Sequence, residues 1–288
     1  MTTIRSVGVV GAGTMGLGIA QVCAARGFQT LIYDAVPTQA EKAVITIARN
    51  LDELVAKGKM TAEERNQALS RLRTARSMDE LTVDLVIEAA VERLDVKREL
   101  FGQLERINSG RAILATNTSS LSVAKIAERL NNPTRCIGLH FFNPAERMKL
   151  VEIISGPATD PEIREALQIF SSTLQKTAVL AKDSPGFIVN RVARPYYAEA
   201  LALLEKGAGT VETIDQLLRA SGFRMGPFEL MDLIGVDTNL AVTTSVYEGL
   251  GRPSKFRPSR IQQQLVSEGR YGRKSGKGFY EYVGHKAP

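Results

Sequence analysis

The stretch SVGVVGAGTMGLGIAQVCAARGFQTLIYD, Ser6–Asp34, decides the fold of this chain. A short run rich in valine predicts a buried parallel strand, and it leads directly into a complete GxGxxG pattern at Gly11–Gly16. Apolar residues at helical spacing follow, and a second strand then ends at an aspartate. This order of strand, glycine turn, helix, strand and acid predicts one half of a dinucleotide-binding sheet.

The glycine turn and the aspartate predict which dinucleotide binds. Gly11 permits the tight turn, Gly13 lets the backbone approach a pyrophosphate, and Gly16 lets the helix pack on the strand. Asp34 follows Gly16 by 18 positions and would accept hydrogen bonds from ribose hydroxyls while repelling a 2′-phosphate, so NAD is favoured over NADP. A glycine turn alone is also typical of a flexible loop. The residues predicted here to bind the cofactor are Gly11, Gly13, Thr14, Met15, Gly16 and Asp34.

An inserted helical pair is predicted after the second strand. Apolar positions from Pro37 onwards form one helical stripe, and Thr61 with Glu64 forms a capping box for a second helix that ends at about Leu72. The basic end of the first helix carries Lys57. This lysine could meet a polyphosphate, but ordinary charge at a helix C-terminus explains it better on sequence alone.

Alternating strands and helices then resume, with strands predicted at 84–90, 112–116, 136–139 and 177–182. Polar residues follow these strands, namely Asn117, Ser119 and His140. Ligands collect at the carboxyl ends of parallel strands, so these residues are expected to share a crevice with Gly11 and Asp34. Ser119 could equally cap a helix.

His140 is the candidate acid/base. The chain has only two histidines, and the other, His285, lies near the C-terminal end. A lone histidine is more often a core residue, but its place after a strand favours a site. A further strand-like run, 148–154, could fold back through Asn143-Pro144 and bring Glu152 beside the imidazole. A plain edge-strand carboxylate is the alternative for Glu152.

Composition excludes several classes of protein. The net charge of +6 mildly favours anionic ligands, but lysine and arginine are scattered among acids, which argues against nucleic acid. Cys23 and Cys136 are far apart, so neither a structural metal site nor a disulfide framework is expected. No apolar run approaches a membrane span and no signal peptide is recognised, so the cytoplasm is the expected compartment.

The second half of the chain predicts a different architecture. Residues 184–288 show helical patterns only, including a helix over 187–206 that is expected to break near Pro195. The predicted fold class is therefore α/β: a Rossmann-like, mostly parallel sheet with an inserted helical pair over residues 1–183, followed by an all-α C-terminal domain. Its broad apolar faces predict a lid over the crevice and a homodimer interface.

Six further segments accompany the glycine turn and Asp34: NTSS at Asn117–Ser120, LHFFNP at Leu139–Pro144, KLVEI at Lys149–Ile153, DSPGFIVNR at Asp183–Arg191, MGPFELMDLIGVD at Met225–Asp237 and GRKSGKGFY at Gly272–Tyr280. Together these segments resemble the L-3-hydroxyacyl-CoA dehydrogenase family, in its 3-hydroxybutyryl-CoA branch. The resemblance covers essentially the whole chain and implies reversible NAD-dependent oxidation of an L-3-hydroxyacyl-CoA thioester, of short chain, to the 3-ketoacyl-CoA.

The resemblance also implies roles for matching residues. His140 would be the general acid/base and Glu152 its orienting partner. Ser119 and Asn190 would bind the 3-oxygen and thioester of the substrate. The remaining matches are Asn117, Glu92 and Lys97 on the nicotinamide and ribose side, Asn50 and Lys57 at the CoA phosphates, and Asn143 at the substrate.

Two departures from the family pattern stand out. Glu53 occupies a position where some relatives carry another lysine, and Ala145-Glu146-Arg147 replaces an apolar-proline run that could shape the acyl pocket. Two other functions stay open from sequence: a dehydrogenase of a free hydroxy acid, and an NAD-binding protein without turnover.

Overall fold

The computed structural model describes residues 3–282, and the chain divides into two compact units between Asp183 and Ser184. His285 lies outside the described residues. The first unit is built on an eight-stranded sheet in the order β3-β2-β1-β4-β5-β6-β7-β8. Its strands are β1 Ser6–Val10, β2 Gln29–Tyr33, β3 Leu72–Thr74, β4 Leu85–Glu88, β5 Ile113–Thr116, β6 Cys136–Phe141, β7 Leu150–Ser155 and β8 Thr177–Lys182.

Every neighbouring pair in this sheet is parallel except β6 and β7. The central strands β4, β5 and β6 are buried along their whole length, as expected when helices cover both faces of a parallel sheet. The helices of this unit are α1 Thr14–Ala25, α2 Pro37–Ala56, α3 Ala62–Arg71, α4 Leu94–Ile107, α5 Val123–Ala127 and α6 Pro161–Thr173. The predicted Rossmann-like sheet is confirmed.

The inserted helical pair is α2 and α3. The predicted capping box is present at the start of α3: Glu64 N donates to Thr61 Oγ1 at 3.1 Å, and Thr61 N donates to Glu64 Oε2 at 2.7 Å. The predicted end of α3, at about Leu72, is confirmed to within one residue, since the helix ends at Arg71, but the strand that follows it was not predicted. Leu72 begins β3, which pairs with β2, and a strand of three residues is too short to show a periodicity of its own.

The second unit is helical. Its helices are α7 Val189–Glu205, α8 Val211–Ala220, α9 Pro227–Ile234, α10 Val236–Gly249 and α11 Arg260–Ser267. The expected break near Pro195 is wrong, because α7 continues through this proline. Tyr197 and Leu201 are buried in the core of the unit, so packing along α7 outweighs the roughly 3 kcal/mol that an internal proline costs.

Asp232 fastens the glycine-rich segment near the end of this unit. Its carboxylate accepts hydrogen bonds from the backbone N–H groups of Phe279 and Tyr280, each at 2.9 Å, and from the Tyr282 hydroxyl at 2.8 Å. A Cβ on Gly278 would lie 2.0 Å from Asp232 Oδ1, so only glycine fits there. None of the helices within residues 3–282 combines the length and the hydrophobicity that a bilayer span requires.

Candidate active site

The carboxyl edge of the sheet in the first unit collects the predicted site residues. Strands β1, β2, β4, β5 and β6 run in one direction, so the glycine turn after β1, Asp34 after β2 and Asn117 after β5 emerge at the same edge. His140 also lies near this edge, but it belongs to the strand and does not follow it as had been expected. It lies inside β6, one residue before the strand ends at Phe141, because main-chain pairing with β7 extends the strand.

The glycine turn fits a pyrophosphate. Gly11 has φ +99°, and a Cβ there would lie 2.6 Å from the carbonyl oxygen of Ala89. A Cβ on Gly16 would lie 1.7 Å from the carbonyl oxygen of Gly11, so the turn packs directly on α1. At Gly13 a Cβ would meet no atom within 4 Å. The backbone there faces open space at a helix N-terminus, as anion binding requires.

Asp34 is bound to this turn. Its Oδ2 accepts a hydrogen bond from Ala12 N at 2.8 Å, and its Oδ1 accepts one from Val36 N at 2.9 Å. The carboxylate therefore connects the end of β2 to the glycine turn. A nucleotide in the turn would meet a negative charge beside its ribose, which fits NAD and opposes a 2′-phosphate.

His140 and Glu152 form a buried pair. They are direct partners in the antiparallel register of β6 and β7, and His140 Nδ1 lies 2.8 Å from Glu152 Oε2. Their exposed fractions are 6% and 0%. The Phe142 ring lies 4.5 Å from the imidazole, centroid to centroid. Side chains directly opposite each other on paired strands lie on one face, so the backbone itself sets this contact.

Asn117 connects the neighbouring strand to this pair. Its Oδ1 accepts a hydrogen bond from Phe141 N at 2.8 Å, next to His140 in the chain. Its own N–H donates to the carbonyl oxygen of Glu88 at 2.7 Å. Asn117 is thus held between the ends of β4 and β6.

Glu92 and Lys97 meet a third residue that sequence reasoning missed. Lys97 is 1% exposed, and its Nζ lies 2.6 Å from Glu88 Oε1 and 3.3 Å from Glu92 Oε2. Glu88, at the end of β4, is fully buried. The sequence does carry a signal for Glu88: an acid at the end of an otherwise apolar strand is expected to be buried, and a buried carboxylate needs partners.

Glu92 organises the turn after β5. Its Oε1 accepts hydrogen bonds from Thr118 Oγ1, from Ser119 N at 3.1 Å and from Ser120 Oγ at 3.0 Å. Burial alone would raise the pKa of Glu92, but the Lys97 ammonium and the hydroxyl donors outweigh burial and hold this pKa below its ordinary value. The residue that caps α5 is Ser122, whose hydroxyl accepts from Lys125 N. Helix capping therefore does not account for Ser119.

Two clefts flank the inserted helices. One, of about 330 Å³, is lined by Asn50 and Lys57 together with Arg147. In this cleft Asn50 Nδ2 donates to Gln21 Oε1 at 3.0 Å, and Lys57 lies 3.2 Å from Glu53. The other, of about 480 Å³, is lined by Gly13, Thr14, Asn143 and Glu146. Glu146 lines both clefts. The turn Ala145-Glu146-Arg147, where the sequence departs from the family pattern, therefore lies between them.

Lys176 supports that turn. Its Nζ donates to the carbonyl oxygens of Ala145 and Met148, each at 2.7 Å, and the Phe141 ring centroid lies 5.7 Å away. Burial lowers the pKa of Lys176. Met15, the remaining predicted cofactor residue, lies in the first turn of α1, partly buried against the core.

Asn190 belongs to the second unit, in the first turn of α7. Its carbonyl oxygen accepts a hydrogen bond from Arg194 Nε at 3.2 Å. Within residues 3–282 no group of three or more histidine, cysteine, aspartate or glutamate side chains could hold a metal ion. Cys23 and Cys136 are buried free thiols, and burial raises the pKa of both, which makes them poor nucleophiles.

The glycine turn with Asp34 is typical of a dinucleotide site, and the buried pair of His140 and Glu152 is typical of an acid/base site. A protein with both features belongs to the class of nucleotide-dependent dehydrogenases. Residues 6–184 match the family model "3-hydroxyacyl-CoA dehydrogenase, NAD binding domain", and residues 186–282 match "3-hydroxyacyl-CoA dehydrogenase, C-terminal domain". The chain belongs to the 3-hydroxyacyl-CoA dehydrogenase family, and its cofactor is NAD.

Individual relatives cover the whole chain. It is 48% identical over 284 residues to a 3-hydroxyadipyl-CoA dehydrogenase of Escherichia coli, covering 98% of this chain and 60% of that protein. It is 42% identical to a 3-hydroxybutyryl-CoA dehydrogenase of Bradyrhizobium diazoefficiens, covering 98% of this chain and 97% of that one. The solved (S)-3-hydroxybutyryl-CoA dehydrogenase of Ralstonia eutropha superposes with a TM-score of 0.93 at 40% identity, covering 98% of this chain and 100% of that one.

Proposed function

We propose that the chain catalyses reversible NAD-dependent oxidation of an L-3-hydroxyacyl-CoA, of short chain such as 3-hydroxybutyryl-CoA, to the 3-ketoacyl-CoA. The observation that carries this proposal is the contact between His140 Nδ1 and Glu152 Oε2 at 2.8 Å, at the same sheet edge as the glycine turn. A protein that only binds NAD has no need of a buried acid/base pair.

The pair acts through the second ring nitrogen. A carboxylate can only accept a hydrogen bond, so we assign the neutral imidazole a proton on Nδ1. During oxidation Nε2 of His140 takes the hydroxyl proton of the substrate, and during reduction it returns that proton to the forming alkoxide. Glu152 keeps the tautomer and stabilises the imidazolium. When bound, NAD supplies the hydride acceptor.

The remaining site residues bind and orient. Ser119, which follows β5 in the turn held by Glu92, would hold the 3-oxygen of the substrate, and Asn190 would hold its thioester region. Asn117, beside the end of β6, would face the nicotinamide. The cleft with Asn50 and Lys57 is lined by four basic side chains and three carboxylates, and this small excess of positive charge favours the phosphates of CoA.

The relatives are named for different acyl groups, since one is a 3-hydroxyadipyl-CoA dehydrogenase and others are 3-hydroxybutyryl-CoA dehydrogenases. The deciding experiment is therefore NADH oxidation against acetoacetyl-CoA, 3-ketohexanoyl-CoA and 3-ketoadipyl-CoA, with NADPH as the cofactor control and free acetoacetate as the substrate control. We expect turnover with the CoA thioesters and NADH, highest with the shortest chain.

Two outcomes would contradict the proposal. Comparable kcat/KM for free acetoacetate would assign the chain to hydroxy acid dehydrogenases. Tight NADH binding without turnover of any thioester would make it an NAD-binding protein without dehydrogenase activity.

We further propose a homodimer through the C-terminal unit, which would also cover the substrate, and a cytoplasmic location. Support for the dimer comes from apolar side chains on this unit: Val192 is 72% exposed, Leu217 59% and Phe223 50%. A monomeric mass by light scattering at micromolar concentration would contradict it. Two buried free cysteines suit a reducing compartment, and cell fractionation tests this.

A further inference from the structure

Glu88 is a buried carboxylate for which the proposed chemistry has no direct use. Its Oε1 accepts hydrogen bonds from Ala90 N at 2.7 Å and from Lys97 Nζ at 2.6 Å. Its Oε2 accepts from Thr116 Oγ1 at 2.8 Å and again from Lys97 at 2.8 Å. Burying an ion pair carries a desolvation penalty that is offset only when the contact is close and the remaining polar groups are hydrogen-bonded. The four contacts of Glu88 meet that condition and hold its carboxylate in one position.

Two chains of contacts lead from Glu88 to the turn that carries Ser119. In the first, Lys97 reaches Glu92, which accepts donors from the turn, including Ser119 N. In the second, Thr116 Oγ1 donates to Glu88 and also accepts from Thr118 N at 3.2 Å. Both chains stay within the first unit.

The backbone of the turn is bound at five successive residues. Asn117 N donates to the carbonyl oxygen of Glu88, Thr118 N to Thr116 Oγ1, and Ser119 N to Glu92. The N–H groups of Ser120 and Leu121 both donate to Thr118 Oγ1, whose own hydroxyl donates to Glu92. Each backbone N–H of residues 118–121 is therefore bonded to the Glu92 carboxylate or to a threonine hydroxyl that Glu88 or Glu92 holds, whereas Asn117 N is bonded to the main chain of Glu88.

We propose that Glu88 is a positioning residue that fixes the Ser119 hydroxyl for the substrate. The buried ammonium of Lys97 lies between the carboxylates of Glu88 and Glu92 and so joins the two acids. The same turn binds Phe141 N through Asn117, so Glu88 also sets the distance between Ser119 and the strand of His140. This inference rests on the proposed function for the role of Ser119.

A double-mutant cycle tests the proposal. We expect Glu88→Gln, which keeps the shape and removes the charge, to lower kcat/KM for acetoacetyl-CoA by about 20- to 100-fold, with the dissociation constant of NADH changed less than threefold. If Glu88 acts through Ser119, then Glu88→Gln combined with Ser119→Ala loses little more than Ser119→Ala alone. Additive losses, or a Glu88→Gln enzyme within twofold of the wild type, would overturn the proposal.

Glu105→Gln is the matched control. Glu105 is also a buried carboxylate of this unit that holds a turn, because it accepts from Asn131 N at 3.0 Å and from Asn132 N at 2.7 Å. That turn precedes β6 and lies at the opposite edge of the sheet. We expect Glu105→Gln to lower thermal stability and to leave kcat/KM within threefold of the wild type. In combination with Ser119→Ala, its loss of kcat/KM should simply add to that of Ser119→Ala.

Hydrogen exchange supplies a readout that needs no substrate. In Glu88→Gln the amides of residues 118–121 should exchange at least tenfold faster than in the wild type, and in Glu105→Gln they should not change. If Glu88→Gln does not fold, Thr116→Val is the alternative variant, because it removes one of the two contact chains and valine suits a strand. We expect it to accelerate amide exchange in the turn by a smaller factor. Unchanged exchange at residues 118–121 overturns the inference even if the wild type proves inactive. An inactive wild type with accelerated exchange in the variant contradicts only the proposed function.

Discussion

The imidazole of His140 and the carboxylate of Glu152 lie 2.8 Å apart as direct partners on antiparallel strands, both almost completely buried. Eleven residues separate them in the chain, yet the main-chain hydrogen bonds of two strands hold them together. The first two predictions follow from this pair.

Replacing His140 with glutamine should remove the acid/base group and keep the fold. General acid/base catalysis by a positioned side chain is worth about 10²- to 10⁴-fold, so we expect kcat for acetoacetyl-CoA reduction to fall by about that factor. The dissociation constant of NADH, measured by fluorescence titration, should stay within threefold, since the glycine turn is separate from β6. A loss of activity below about tenfold would remove the acid/base role.

Glu152→Gln should act through the imidazole. Glutamine can donate to Nδ1 and so favour the wrong tautomer, and it cannot stabilise the imidazolium; we expect kcat to fall by about 10²-fold or more. Glu152→Asp should retain more activity than Glu152→Gln. In the His140→Gln background, replacement of Glu152 should cost little further, because the two side chains act as one unit. A full additional loss in that background would place Glu152 in a role independent of the histidine.

Asp34→Asn should weaken discrimination between the two nicotinamide cofactors. The amide oxygen can still accept from Ala12 N, so the glycine turn keeps its contact, while the charge that repels a 2′-phosphate is lost. We expect the ratio of kcat/KM for NADH to that for NADPH to fall by about tenfold. Asp79→Asn, on a short helical turn after β3, is the control and should leave the ratio unchanged.

Arg147→Ala should weaken binding of the CoA phosphates. The side chain of Arg147 is 80% exposed, and its nearest carboxylate, Glu146, lies 3.8 Å away, whereas Lys57 is offset by Glu53 at 3.2 Å. We expect KM for acetoacetyl-CoA to rise about three- to tenfold with kcat unchanged. KM for acetoacetyl-pantetheine, which lacks the nucleotide, should not change. An equal rise for both thioesters would place Arg147 elsewhere than at the phosphates, and Arg76→Ala is the exposed control.

Glu92 should contribute stability that depends on pH. Its pKa in the folded chain lies below the ordinary value of 4.5, so the ionised form is favoured by folding. That contribution is present above about pH 4.5 and is lost as pH falls through the folded pKa. The free energy of unfolding, measured in urea, should therefore differ more between the wild type and Glu92→Gln at pH 7 than at pH 4. An equal gap at both values would contradict the sign of the shift.

Much of the first unit could be predicted because local patterns have single physical explanations. The turn at Gly11–Gly16 tolerates only glycine where atoms would otherwise overlap, and Thr61 with Glu64 satisfies the first N–H groups of α3 by itself. The pairing of His140 with Glu152 was also within reach. Two apolar runs separated by an Asn-Pro turn are expected to pair, and strand alternation then decides which side chains meet.

The features that the sequence did not predict depend on contacts between elements that are distant in the chain. The strand β3 was missed because its three residues are ordered by pairing with β2, and the continuity of α7 at Pro195 depends on packing that local propensity does not encode. Glu88 was missed because its role appears only when Thr116 and Lys97 are brought to it from other elements. The family resemblance implies that Lys97 lines the nicotinamide and ribose side, and this stays a prediction; the structure shows its ammonium between two carboxylates.

The turn between β6 and β7 has a consequence for how such enzymes diversify. Since the ladder of the two strands and the anchoring ammonium of Lys176 fix the ends of this turn, its middle can change composition without displacing the acid/base pair. Glu146 and Arg147 thus occupy a stretch where a substitution can change the charge of the two clefts and leave the contact between His140 and Glu152 in place.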